Sequence, residues 1–92
     1  MYAVIRRYRD SAIFDAVINR EQEVREIISG VPGFVAYYVV RSGNGDASIT
    51  ICQDQSGTAE STRRAADWIR QNLPSVTGSP PEITEGEVPI SF

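Results

Sequence analysis

The chain has 92 residues and a formal net charge of −3, enough for one domain near the lower size limit for folding without a metal or disulfides. All nine basic residues are arginine and histidine is absent. That excludes Schiff-base lysine chemistry and the P-loop lysine, and removes the usual general base and commonest metal or haem ligand. The acidic balance argues against non-specific binding to nucleic acid or an anionic membrane. No apolar run approaches the ~20 residues of a membrane span, and Met1 to Arg7 lacks the basic, apolar and small-residue order of a secretory signal. The single cysteine, Cys52, has no Cys-x-x-Cys neighbour, which excludes an internal disulfide and thioredoxin-like or zinc-site readings; the expected setting is a reducing cytoplasm.

Residues 2–9 read as a first strand, with Ala3, Ile5 and Arg7 on one face and Val4, Arg6 and Tyr8 on the other. Asp10 or Ser11 caps a helix over 11–29, whose stripe of Ile13, Val17, Val24, Ile27 and Ile28 is widened by Phe14 and Ile18. Gly30 and Pro32 end it. Residues 33–42 form a second strand with two apolar faces, Phe34, Ala36, Tyr38 and Val40 against Val35, Tyr37 and Val39. Residues 42–46 (Ser-Gly-Asn-Gly-Asp) predict a tight hairpin.

The third strand, 46–54, alternates Ala47, Ile49 and Ile51 with Ser48, Thr50 and Cys52; the apolar set is expected under the helices and the other set, with Val4, Arg6 and Tyr8, on the opposite face. A second helix spans 58–73, capped by Ser56 or Thr58, burying Thr62, Ala66, Ile69 and Leu73 with Ala65 and Trp68 at the edge, and ending at Pro74. A loop, 75–81, leads to a last strand over 82–91, whose Gly86 and Pro89 suit an edge. The order βαββαβ predicts an α+β ferredoxin-like sandwich: a four-stranded antiparallel sheet with two helices on one face, in a single domain over 1–92.

Fold alone does not select a function. Strand three lacks the aromatics of an RNA-binding RRM. A copper chaperone needs a cysteine pair, and the turn Arg9-Asp10-Ser11 lacks the glycine of ACT domains and the glycine-rich anion loop of acylphosphatases.

The side chains able to carry chemistry are few. Arg6, if buried, needs a carboxylate such as Asp54, Glu85 or Glu87, or else a ligand anion. Tyr37 and Tyr38 are adjacent in a strand, so one of them faces any pocket; a core aromatic with its hydroxyl at the rim is the plainer reading. Trp68 either walls an aromatic pocket or makes an ordinary helix–sheet contact. Cys52 beside Thr50 reads as a small buried filler. The Arg63-Arg64 pair, near Glu60 and Asp67, reads as a solvated face.

With Tyr2 to Tyr8 as first strand, Val31-Pro32-Gly33-Phe34 entering the second, Ala65-Ala66-Asp67-Trp68-Ile69 in the second helix and Glu85-Gly86-Glu87-Val88 in the last strand, nearly the whole chain resembles the dimeric α/β-barrel superfamily. In particular it is similar to small proteins of the antibiotic biosynthesis monooxygenase type. The resemblance implies a homodimer packed through the helix-free sheet faces. It implies a cavity between sheet and helices for an apolar or aromatic small molecule, and a cofactor-independent oxidation with O2 in which a substrate carbanion hands an electron to oxygen. On that reading Arg6 and Tyr38 are catalytic candidates, and Tyr8, Tyr37, Thr50 and Trp68 are ligand-binding candidates. No metal or other cofactor is expected. Haem-degrading relatives use a histidine, which this chain lacks, and Arg6 and Arg7 stand where relatives often present a catalytic asparagine. The competing reading is a non-catalytic dimerisation or ligand-sensing module of the same fold.

Overall fold

The computed structural model describes residues 1–43, 45–76 and 80–92. The predicted hairpin residue Asn44 and residues 77–79 of the predicted loop lie outside them. Strand β1 (Tyr2–Tyr8) is followed by helices α1 (Ser11–Asn19) and α2 (Glu21–Ser29), then by strands β2 (Phe34–Val40) and β3 (Asp46–Cys52). Helix α3 (Gln55–Asn72), a 3-10 turn (Pro74–Val76) and strand β4 (Glu82–Glu87) complete the chain. The four strands form one antiparallel sheet in the order β2-β3-β1-β4, the ferredoxin-like arrangement.

The predicted helix over 11–29 is two helices. Asp10 caps α1 by accepting from the Ala12 N–H at 2.9 Å. At Arg20 the backbone leaves the helical region (φ −119°, ψ 38°), although Arg20 N–H still donates to Ala16 O and Val24 N–H to Arg20 O. The break is therefore a kink in a nearly continuous hydrogen-bond ladder. It turns the Arg20 guanidinium toward α3, where it bonds Asn72 Oδ1 at 2.5 Å and lies 5.5 Å from the Trp68 ring centroid.

Helix α3 begins three residues before the expected start because Asp54, rather than Ser56 or Thr58, is its cap, accepting from the Gly57 N–H. A Cβ at Gly57 would stand 2.5 Å from Pro32 O and 2.8 Å from Cys52 Cβ, so only glycine lets the helix start pack this closely on the sheet. The buried side of α3 is Thr58, Ser61 and Trp68, whereas Ala66 is exposed. The last strand ends at Glu87; Val88 N–H bonds Met1 O, and residues 89–92 make no further ladder.

The two faces of the sheet are the reverse of the expectation for β3. Arg6 and Tyr8, with Ser48 and Thr50, lie against the helices, and Cys52 packs beside Gly57. Ala3, Ile5, Ile49 and Ile51 occupy the open face. The polar residues face inward because Arg6 draws them into its hydrogen-bond shell. A bulge at Val35 shifts the register between Phe34 and Ala36. Phe34 thereby joins Tyr37 and Val39 toward the core, and Ala36, Tyr38 and Val40 take the open side. The core itself comprises Tyr8, Ile13, Phe14, Val17, Val24, Ile28 and Trp68, with Tyr8 and Phe14 edge to face at 5.3 Å.

Candidate functional site

The centre of β1 carries the most unusual group of the molecule. Arg6 is 1 % exposed, and its guanidinium faces hydroxyls instead of a carboxylate. Nε donates to Thr62 Oγ1 at 3.1 Å. Nη1 donates to Ser48 Oγ at 3.3 Å and Thr50 Oγ1 at 3.1 Å, and Nη2 to Ser61 Oγ at 2.5 Å. Two elements supply this shell: alternate residues of β3, across from Arg6 in register, and two consecutive residues of α3. Asp54, Glu85 and Glu87, the expected partners, form no ion pair with it, and Glu85 acts only as a charge at a distance. Desolvation lowers the Arg6 pKa, as it must for a cation surrounded by neutral groups. Four hydrogen bonds satisfy most of the five guanidinium donors, but none of them neutralises the charge.

The tyrosines flank this cation. Burial raises the pKa of Tyr8 and of Tyr37, and the positive charge of Arg6 opposes each shift. The Tyr37 phenol also hydrogen-bonds Ser48, so a chain of polar groups runs from Arg6 through Ser48 to Tyr37. Trp68 is buried, its Nε1–H donating to Glu23 Oε1 at 2.8 Å. Tyr38 is elsewhere: 56 % exposed, it lies opposite Ile49 on the open face. Of the six residues singled out from sequence, the structure therefore gathers Arg6, Tyr8, Tyr37, Thr50 and Trp68 between sheet and helices and places Tyr38 apart from them.

Between these groups lies a narrow cavity of about 30 Å³, lined by Tyr8, Phe14, Tyr37, Ser48, Trp68 and aliphatic side chains of all three helices. That volume holds about one water. A groove of about 710 Å³ runs outside it along β2, and Val17, Val24, Ile28 and Tyr37 line both spaces. These four side chains are thus a wall one residue thick. Sequence reasoning missed Ser48, Ser61 and Thr62 as partners of Arg6. Their hydroxyls had a signal in the unusual density of Ser and Thr at positions facing one strand, which becomes legible only once the arginine is placed inward. Phe14 was legible as part of the buried stripe of the first helix, though not as a cavity residue, and the Arg20–Glu23 grip on Trp68 was invisible without the kink.

Among the described residues no group of three or more His, Cys, Asp or Glu could hold a metal ion. The axial donors a haem would find at this cavity are two phenols whose proton loss burial opposes, so the residues present do not fit that group.

The fold defines the class: a ferredoxin-like α+β protomer with a four-stranded antiparallel sheet covered by helices on one face. No protein-family model and no curated protein sequence matches the chain. Solved structures do. A protein of unknown function from Nitrosomonas europaea superimposes with a TM-score of 0.71 at 15 % identity, over 99 % of this chain and 90 % of that one. The ActVA-Orf6 monooxygenase of Streptomyces coelicolor, in complex with nanaomycin D, gives 0.66 at 18 % identity over 99 % and 88 %. A mutant of MhuD with two manganese protoporphyrin IX molecules per active site gives 0.66 at 12 % identity over 99 % and 96 %. At these identities the likeness is one of fold.

Proposed function

We propose that the protein is a small monooxygenase-like homodimer of the cytoplasm that binds an apolar or aromatic small molecule between its sheet and helices and oxidises it with O2 without metal or haem. The observation that carries this reading is the buried, carboxylate-free Arg6 beside a crevice walled by Tyr8, Phe14, Tyr37 and Trp68. A buried cation without a counter-charge costs stability, and perturbed, desolvated groups beside an aromatic crevice are the usual mark of a ligand site. In this arrangement Trp68 and Phe14 pack on the ring and Tyr37 orients a polar substituent through its phenol, while Arg6 and Thr50 lie outside the cavity lining and act on it through Ser48, which lines it and accepts from Arg6. Tyr38 has no part in this site; its place is the open face, where Ala3, Ile5, Ile49, Ile51 and Val40 would otherwise remain a solvent-facing apolar surface.

The fold of ActVA-Orf6 supports the oxygenase part of the reading. The small cavity favours a second one: a closed, non-catalytic ligand-sensing or dimerisation module. An aromatic ring requires on the order of 150 Å³, so a ligand has to displace the wall of Val17, Val24, Ile28 and Tyr37. Native mass spectrometry of the untagged protein from its own host tests both. A dimer carrying a small-molecule mass, coupled to oxygen uptake on adding that molecule, supports the enzyme. A ligand mass without oxygen uptake supports the sensing module. An empty dimer favours the closed module, and a monomer overturns the homodimer.

A further inference from the structure

The adjacent arginines of α3, Arg63 and Arg64, read in sequence as one solvated face, and the structure separates them. Arg63 is exposed and bonds Glu60 and Asp67 on its own helix. Arg64 reaches off the helix. Its Nε donates to Glu60 Oε2 at 2.8 Å and its Nη1 to Ile27 O at 3.0 Å, one of the carbonyls that α2 leaves over at its C-terminal end. These two bonds fix the guanidinium between α2 and α3 and use two of its five N–H donors. Among the described residues, Nη2 has no hydrogen-bond partner.

Among the described residues, Arg64 is also the one charged side chain that lines the inner cavity. It is 30 % exposed, whereas Trp68, one turn further along α3, is 6 % exposed. The two stand at i and i+4, on one face of the helix, with Cβ atoms about 6 Å apart. That face therefore carries an aromatic wall at depth and a cation at the mouth. The surrounding charge does not cancel this cation. Glu60 accepts from Arg63 through both oxygens, at 2.9 and 2.6 Å, as well as from Arg64, and Asp67 is divided between Arg63 and Arg70. Three arginines thus share two carboxylates on a chain whose net charge is −3. The surplus of one positive charge sits beside the cavity.

We propose that Arg64 is the specificity-determining residue of the ligand site, and that the ligand is an aromatic monocarboxylate whose ring lies against Trp68 and whose carboxylate is held by Arg64. The inference rests on the ligand-binding reading of the proposed function and names the class of its ligand. The unused N–H groups of Nη1 and Nη2 offer the donors that a planar carboxylate accepts from. A spacing of about 6 Å between the two side chains fits an acid whose carboxyl stands one or two carbons off the ring. A single negative charge matches the surplus, while a second would meet Glu60 beside Arg64 or Glu23 beside Trp68. The carboxylate also stays out of the apolar interior, at the partly exposed end where its desolvation costs least.

Phenylacetate and its uncharged isostere phenylacetamide test the assignment. Each is titrated at pH 7 into the full chain, and the NMR signal of the indole N–H of Trp68, the only tryptophan, reads binding. The acid is expected to bind about tenfold more tightly than the amide. Arg64→Gln should abolish that preference and leave the affinity for the amide unchanged, whereas Arg64→Lys, which keeps the charge, should retain a preference for the acid. Arg70→Gln takes one charge from the same helix outside the cavity lining and is expected to keep the ratio within about twofold. Equal binding of acid and amide by the parent protein would overturn the anion site while leaving the pocket, as would a preference that survives Arg64→Gln. A fall in affinity for both probes in Arg64→Gln would make Arg64 only a cap of α2 and overturn it too. No response of the signal to either probe would instead remove the ligand-binding reading on which the inference stands, so the two failures are distinguishable.

Discussion

Thr50 offers the sharpest test of the shell around Arg6. Its hydroxyl accepts from Nη1 at 3.1 Å, and both residues are essentially inaccessible to water. Thr50→Val keeps the shape and removes the acceptor. With Arg6 present, Nη1 is left with Ser48 alone at 3.3 Å, and losing one hydrogen bond to a buried charge costs about 1.5–3 kcal/mol. With Arg6→Met the sign reverses: Thr50 then has a buried hydroxyl stripped of its partner, worth about 1–3 kcal/mol of penalty, which Thr50→Val relieves. The two single variants and the double variant therefore form a cycle with a coupling of about 2.5–6 kcal/mol, independent of what Arg6→Met does by itself. Urea unfolding at one fixed protein concentration, followed by the fluorescence of Trp68, the only tryptophan, reads each corner. A Thr50→Val penalty equal in both backgrounds to within about 0.5 kcal/mol would refute the buried-cation geometry.

Two further perturbations probe the frame that holds the site. Arg63 and then Arg64, through hydrogen bonds, hold the Glu60 carboxyl down at about 2. Being depressed in the folded state, it contributes stability that is present above the ordinary glutamate range and is lost as pH falls toward 2; a carboxyl NMR titration of Glu60 with a midpoint above 4 would contradict the pairing. Gly57→Ala drives a Cβ against Pro32 O and Cys52, whereas Gly43→Ala meets nothing within 4 Å. The first is expected to lower stability by about 1–3 kcal/mol and the second to leave it within about 0.5 kcal/mol, both by the same urea assay.

Order and type of the elements were legible because each carries its own period and punctuation: Asp10 before the first helix, Gly33 with its φ of 73° at the entry to β2, and Pro74 after α3. The orientation of β3 was not. Alternation shows that Ser48, Thr50 and Cys52 share a face, but the choice of inner face assumed that the apolar set is buried. Arg6 inverted that choice, since a strand carrying a buried arginine needs polar neighbours across the ladder. A dimer interface would bury the apolar set instead. The bulge at Val35 likewise left no local mark, and it moved Tyr37 rather than Tyr38 to the site. The kink at Arg20 was hidden because both half-helices keep one stripe; it goes with a tertiary contact to Asn72 and Trp68 on a helix some fifty residues away, which no local pattern marks.

That contact also bears on how a closed cavity receives a ligand. Arg20 grips Asn72 Oδ1 at 2.5 Å and Glu23 Oε2 at 2.7 Å and lies over Trp68, tying the start of α2 to α3 across the cavity. The wall residues Val24 and Ile28 ride on α2, so displacing the wall means loosening this tie. Its bonds are half exposed; a surface ion pair is worth about 0–1 kcal/mol and an exposed cation–π contact about 0.5–1 kcal/mol. Arg20→Ala should then lower stability by about 1–1.5 kcal/mol and, if the closed form is the one it stabilises, raise the population of the open form by up to about tenfold. Because apparent affinity scales with that population, the variant is expected to bind a fluorescent apolar probe such as anilinonaphthalene sulfonate more tightly while unfolding in less urea. A loosened fold would also bind the probe but would lose its near-UV CD, so a near-UV spectrum equal to that of the parent protein, well below the transition, assigns the gain to opening of the cavity. Weaker or unchanged probe binding by a folded Arg20→Ala protein would remove the grip from the path to the cavity and leave the kink a packing feature.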